Sequence, residues 1–339
     1  MFNREISHLI LGLILGGIVT TGVFALLVRQ DETGDAPRKT TLRLAHSLPE
    51  ASPSHKALEW MAKDLTRRSG GAMEVLVFPS GQLGSETDVL EQMQRGALAL
   101  TRTSTAALEG FAPEFAVFGT PYLFDDDRHF WQVLEGRVGQ DLLTLGADYG
   151  LRGLGYYNAG ARSFYTRHTP IETPDDLRGL KIRTQRSKTA MDMVDTLGAS
   201  ATPMPFGELY TGLQQGIVDG AENNPPSYYD TRHYEVAPFY SLDEHTRVPD
   251  IILVSEMIWN RLDPRERQWL REAIVASMDE QRRLWQEYET EVLRTLEEEG
   301  VTILRPEKEP FKDAVEPMLK SLQGTPVGDL VDQIRQVER

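Results

Sequence analysis

The sequence predicts an α/β fold built as two lobes and braced by one long helix. Two observations predict it. Strand-like and helix-like segments alternate twice along the chain, first over residues 41–102 and again over residues 151–219. A late helical stretch, bounded by Asp263 and Gly300, is longer than one lobe is wide. Alternation of this kind means sheets covered by helices, with ligands held at the carboxyl ends of strands.

Each element has its own signal. Residues 41–45 (TLRLA) alternate apolar and polar and read as a strand. Residues 54–68 carry a helical stripe of Ala57, Leu58, Met61 and Leu65. Residues 73–78 (MEVLVF) form a second strand, PSGQLGS a turn, residues 86–95 a helix and residues 98–102 (LALTR) a third strand. The middle of the chain repeats the logic. LRGLGYY, residues 151–157, is a strand, and TPDDLRG, residues 173–179, is a capped helical turn. The short strand 181–183 ends at Arg183 and runs into a helix over 189–197. A short strand, a helix over 206–215 and a strand at 217–219 follow. Asp263 then caps a helix with Pro264 at its first position. Neither Gly nor Pro recurs before Gly300, which allows roughly 36 residues, or ~54 Å. VTILR and residues 311–322 add a strand and a helix.

Composition limits the function. The 339 residues are ample for more than one lobe. A net charge of −15 argues against a nucleic-acid partner, which needs a basic face. It leaves room for a small anion in a local cationic pocket. There is no cysteine, which excludes thiol catalysis, disulfides, Cys-based metal sites and a lipidated cysteine anchor. MFNREISH precedes about twenty uncharged, mostly apolar residues, 9–28, and then the polar linker 29–38. Residues 1–38 read as a signal peptide or an uncleaved membrane anchor plus linker, with Val23-Phe24-Ala25 as a cleavage site. Either reading places the rest of the chain outside the cytoplasm.

The chain lacks the common catalytic signatures. The seven histidines are scattered, and HExxH, GxSxG, a P-loop and a complete GxGxxG are all missing. Neither an enzyme nor a cofactor nor a metal gains support. Cations at strand ends do stand out: Arg102 ends LALTR, Arg162 lies in AGARSFYT, and Arg183 ends LKIR. A guanidinium matches a carboxylate with paired donors. Each arginine alone reads as solvated surface; three at similar topological positions point to a bound anion. Asn223, in VDGAENN, adds donors and acceptors for hydroxyls.

LKIR followed by a helix, GASATPMPFGELYTGLQQGIVDGAEN, FPSGQLGSETDVLEQMQRGALALT, AGARSFYT and the long late helix closely resemble one family. It is the solute-binding proteins of tripartite ATP-independent periplasmic (TRAP) transporters, and the likeness covers about residues 40–325. The resemblance implies a two-lobed periplasmic binding protein with a hinge and a long helix spanning both lobes. It implies residues 39–159 with 249–288 as lobe I, and 160–248 with 289–339 as lobe II. It implies capture of an organic acid and delivery to the membrane subunits of a TRAP transporter, by a monomer that closes freely. The family's carboxylate-binding arginine falls on Arg183, a second arginine on Arg162, the ligand asparagine on Asn223 and a pocket aromatic on Phe206. The doubled asparagine and the aromatics of ENNPPSYYDTRHYEVAPFYSLDEH resemble members that bind sugar acids such as hexuronates. For such a ligand Glu86, Arg102, Asn224, Tyr228 and His245 are further candidates, although His245 reads equally well as a hinge hydrogen bond. Two other readings are a ligand-presenting module for a membrane sensor and an extracytoplasmic enzyme acting on sugar acids.

Overall fold

The computed structural model describes residues 39–337; the expected signal or anchor segment and its linker, residues 1–38, lie outside the described residues. The strands are β1 (Thr40–Ala45), β2 (Met73–Phe78), β3 (Leu100–Ser104), β4 (Leu151–Tyr157), β5 (Arg162–Thr166), β6 (Lys181–Thr184), β7 (Ser200–Pro203), β8 (Gly220–Asn223), β9 (Phe239–Thr246), β10 (Asp250–Ser255) and β11 (Thr302–Leu304). The α-helices are α1 (Pro53–Arg68), α2 (Glu86–Gln94), α3 (Asp127–Glu135), α4 (Arg137–Leu145), α5 (Lys188–Thr196), α6 (Leu209–Gln214), α7 (Pro225–Asp230), α8 (Glu256–Trp259), α9 (Pro264–Glu298), α10 (Glu309–Ser321) and α11 (Pro326–Arg335).

Two sheets carry the two lobes. The first has the order β2-β1-β3-β10-β4 and the second β11-β9-β5-β8-β6-β7. Both faces of each sheet are covered, so central strands are apolar on both sides. In β10, Ile251 and Leu253 join a core with Phe115, Phe118 and Phe130, while Ile252 and Val254 join one with Leu58, Met61 and Leu65 of α1. In the second sheet Tyr165 packs with Tyr228 and Tyr240, and its neighbour Phe164 with Ile182, Met193 and Phe311.

The long helix is α9, of 35 residues, ~52 Å. Asp263 caps it by accepting from the backbone N–H of Arg265 and Glu266, and Glu266 completes the capping box. Its first half gives Leu270, Ala273 and Ile274 to the first lobe, against α1. Its second half gives Val292 and Leu296 to the second. α9 therefore spans both lobes, as expected.

The chain also crosses between the sheets at residues 158–161 and 247–249. The first crossing is pinned to the middle of α9. Gln281 donates to the Asn158 carbonyl at 2.8 Å and accepts from the Asn158 N–H at 2.9 Å. Gly160 has φ +62°, and a Cβ there would lie 2.6 Å from Glu289 Oε1 and 3.0 Å from the Trp285 ring, so only glycine fits. The lobes also touch at the N-terminus of α5. Glu109, from the first lobe, accepts from Ser187 Oγ at 2.5 Å, Thr189 N at 3.1 Å and Thr189 Oγ1 at 3.0 Å.

Three expectations shift. The third strand runs over Leu100–Ser104 rather than 98–102. The strand expected at 217–219 is Gly220–Asn223; Ile217 lies on the surface just after the left-handed Gly216. Residues 289–339 were expected in one lobe, but α11 packs Val331 and Ile334 into the first-lobe core beside Phe115 and Phe118.

Candidate ligand-binding site

Strand register brings the site together. Arg183 lies opposite Ala221 in the parallel β6–β8 ladder, and Ser163 opposite Asn223 in the antiparallel β5–β8 ladder. The carboxyl ends of β6 and β8 and the start of β5 thus share one sheet edge, carrying Arg183, Asn223 and Arg162. Across from it the first lobe presents Ser47 after β1, Glu86 at the start of α2, Arg102 in β3 and Asp250 at the start of β10. The two edges enclose a narrow recess of about 30 Å³ whose walls include Arg102, Arg162, Arg183, Phe206, Asn223 and Asn224. It adjoins a chamber of about 380 Å³ that shares Ser47, Glu86, Arg183, Gln185 and Phe206 with it.

The three arginines are buried but differ electrically. Arg102 is ion-paired with Asp250. Burial pulls its pKa down to about 10. Arg162 is ion-paired with Glu222 through Nε, donates to Glu222 Oε1 at 2.9 Å through Nη2, and donates to Asn223 Oδ1 at 2.9 Å. Burial alone would raise the Glu222 pKa, but Arg162 and then His245 hold it at about 2. Arg183 has no carboxylate partner among the described residues. Its Nε and Nη2 both donate to the Met204 carbonyl, at 2.9 and 2.7 Å, and its buried Nη1 has no partner. Burial lowers its pKa. The Phe206 ring lies 5.7 Å from its guanidinium carbon and offers a cation–π contact.

The remaining candidates divide. Glu86 accepts from Ser104 N–H at 3.2 Å and faces the cavity. Asn223 accepts from Arg162 and from Asn224 N–H at 2.9 Å. Asn224 caps α7 by accepting from Ser227 N–H at 2.8 Å. Tyr228 and His245 are not brought into the cavity. Tyr228 is fully buried, stacks on Tyr240 and donates to the Ala237 carbonyl at 2.6 Å. His245 lies behind the site, 2.7 Å from Asp243 and 3.6 Å from Glu222. Burial alone would lower its pKa, but these two carboxylates push it up to about 9. Sequence reasoning missed Ser47, Gln185 and Asp250. Ser47 and Gln185 carry a usable signal, since both follow the carboxyl end of a strand.

Residues 44–324 match the family described as bacterial extracellular solute-binding protein, family 7. The chain belongs to this family. The family 7 protein is 38% identical over 290 residues to the uncharacterised protein YiiZ of Salmonella typhimurium, covering 85% of this chain and 88% of that one. It is 39% identical to a TRAP periplasmic solute-binding protein from Xanthobacter autotrophicus with bound β-D-galacturonate, with a TM-score of 0.84 over 88% of this chain and 100% of that chain. It is 30% identical to the sugar acid binding protein DctPAm of Advenella mimigardefordensis in complex with galactonate, with a TM-score of 0.86 over 89% and 99% of the two chains. This family 7 chain is a periplasmic TRAP solute-binding protein, one that binds and does not catalyse.

Proposed function

We propose that this protein captures a sugar acid, a hexuronate above all, and delivers it to the membrane subunits of a TRAP-type transporter. One observation carries the reading: Arg183 is a buried cation with a free N–H, turned to a cavity and lacking a carboxylate. A buried charge is costly until it is paired, so a ligand carboxylate fills that role. Arg102 and Arg162 already have partners and hold the frame. Glu86, in the same cavity, suits a sugar hydroxyl and repels a second carboxylate, which favours a sugar acid over a dicarboxylate. The bound galacturonate and galactonate of the solved relatives support the same class. Closure about the crossings at 158–161 and 247–249 dehydrates the pair and strengthens it.

The protein acts as a monomer, without a nucleic-acid partner. Residues 9–28 stay uncleaved and hold it near its transporter, which raises its effective concentration there. Mass spectrometry of the protein from membranes checks this; a chain beginning after residue 25 ends the anchor reading.

The test is a thermal-shift panel of glucuronate, galacturonate, gluconate, succinate, malate and neutral sugars. A ligand at 100 times its dissociation constant adds about 2.7 kcal/mol. The expected result is a shift with a sugar acid, lost in Arg183→Ala. A shift with dicarboxylates alone removes the sugar-acid reading, and a shift with neutral sugars alone removes the clamp.

A further inference from the structure

We propose that the outer part of the chamber beside Arg183 is a subsite for a second sugar ring, so that the substrate class is a uronic-acid disaccharide. This rests on the sugar-acid reading above. The inner recess, about 30 Å³, admits a carboxylate and little more. The adjoining chamber is about 380 Å³, the share of roughly a dozen liquid waters and within the ~300–1,000 Å³ of sites for drug-sized ligands. With its carboxylate in the recess, a bound acid places its own ring in this chamber, and a second ring takes the space that remains toward the outer wall.

The chamber is also built for a sugar. Beyond the walls it shares with the recess, it is lined by Ser80, Ser85, Thr87 and Asp88 from the first lobe and by Arg186 and Glu208 from the second. Hydroxyls on one wall and carboxylates on both suit ring hydroxyls. Phe206, Pro205 and Ala107 give an apolar surface for the face of a ring. The chamber is not the product of a gaping cleft, because the lobes are in contact through Glu109 and the start of α5.

Gly207 supplies the test. A Cβ there meets nothing within 4 Å, and its backbone is not left-handed, so a large side chain is accommodated at the chamber wall without strain. Calorimetric titration of the full chain would use D-galacturonic acid, D-glucuronic acid, α-1,4-linked digalacturonic acid and an aldobiuronic acid. At least one disaccharide is expected to bind about tenfold more tightly than its parent acid. Gly207→Trp is expected to abolish that gain and leave the monosaccharide within about threefold. Thr87→Tyr, from the opposite wall, repeats the test should Gly207→Trp fail to fold. Disaccharides that bind no more tightly than monosaccharides overturn the subsite while the sugar-acid reading stands. Failure of every acid to bind overturns both.

Discussion

Arg162 and Arg183 stand on the same edge of one sheet, on the two strands that flank β8, and are 5% and 2% exposed. They are nonetheless in opposite electrical states. Arg162 has Glu222, which outweighs burial and raises its pKa; Arg183 has one carbonyl and a lowered pKa. A buried pair is self-sufficient and acts as architecture, whereas a buried cation without a counter-charge is a standing cost that a ligand removes. Position in the fold therefore does not separate the frame from the site; the presence or absence of a partner does.

The largest effect expected from breaking this contrast falls on the paired side. Glu222→Ala strands Arg162, leaves His245 with Asp243 alone, and should cost about 3–5 kcal/mol, roughly 10 °C in Tm by calorimetry. A fall of only a degree or two would show that the pair does not hold the frame. Arg183→Met should leave the Tm of the ligand-free protein unchanged or higher. It should weaken sugar-acid binding by about 2–5 kcal/mol, roughly 30- to 5,000-fold, in titration calorimetry. Loss of stability with unchanged affinity would reverse the roles assigned here.

Two smaller tests sharpen the line. The folded pKa of His245, about 9, lies above its ordinary 6.5. Its stabilisation is fully present below pH 6.5 and is lost as pH rises through 9. Glu222 behaves oppositely: its contribution is present above pH 4.5 and lost as pH falls toward about 2. Between pH 6.5 and 9 stability should decline by up to about 1.4 kcal/mol per pH unit, and His245→Gln should flatten that slope. A wild-type profile that is flat there removes His245 from the network. Tyr228→Phe should cost about 1 kcal/mol in urea unfolding, through the lost bond to the Ala237 carbonyl, with affinity unaltered. Altered affinity would return Tyr228 to the site.

Periodicity exposed α1 through its one buried stripe, and a clear cap with an uninterrupted run exposed α9, whereas α3 and α4 went unread. β8 was displaced in the sequence reading because Gly220 reads as a strand breaker; in the fold its missing side chain lets β5 approach, since a Cβ would lie 2.4 Å from the Tyr165 carbonyl. β10 went unread because DIILVS is apolar on both faces and shows no alternation. The site was legible as arginines near strand ends. That Arg102 and Arg162 are neutralised and Arg183 is not depends on Asp250 and Glu222, which pairing across strands brings to them. Tyr228 was misplaced for a related reason: a helix of six residues, Pro225–Asp230, turns one tyrosine into the core, and composition alone cannot say which.

The shared ownership of α9 has a consequence for how the molecule comes apart. Leu270, Ala273 and Ile274 belong to one core and Val292 and Leu296 to the other, on one uninterrupted rod. Neither half can melt without stripping apolar surface from a helix the other half still needs. Unfolding is thus expected as one cooperative calorimetric transition rather than two, and proteases should find no stage at which a single surviving half can be isolated.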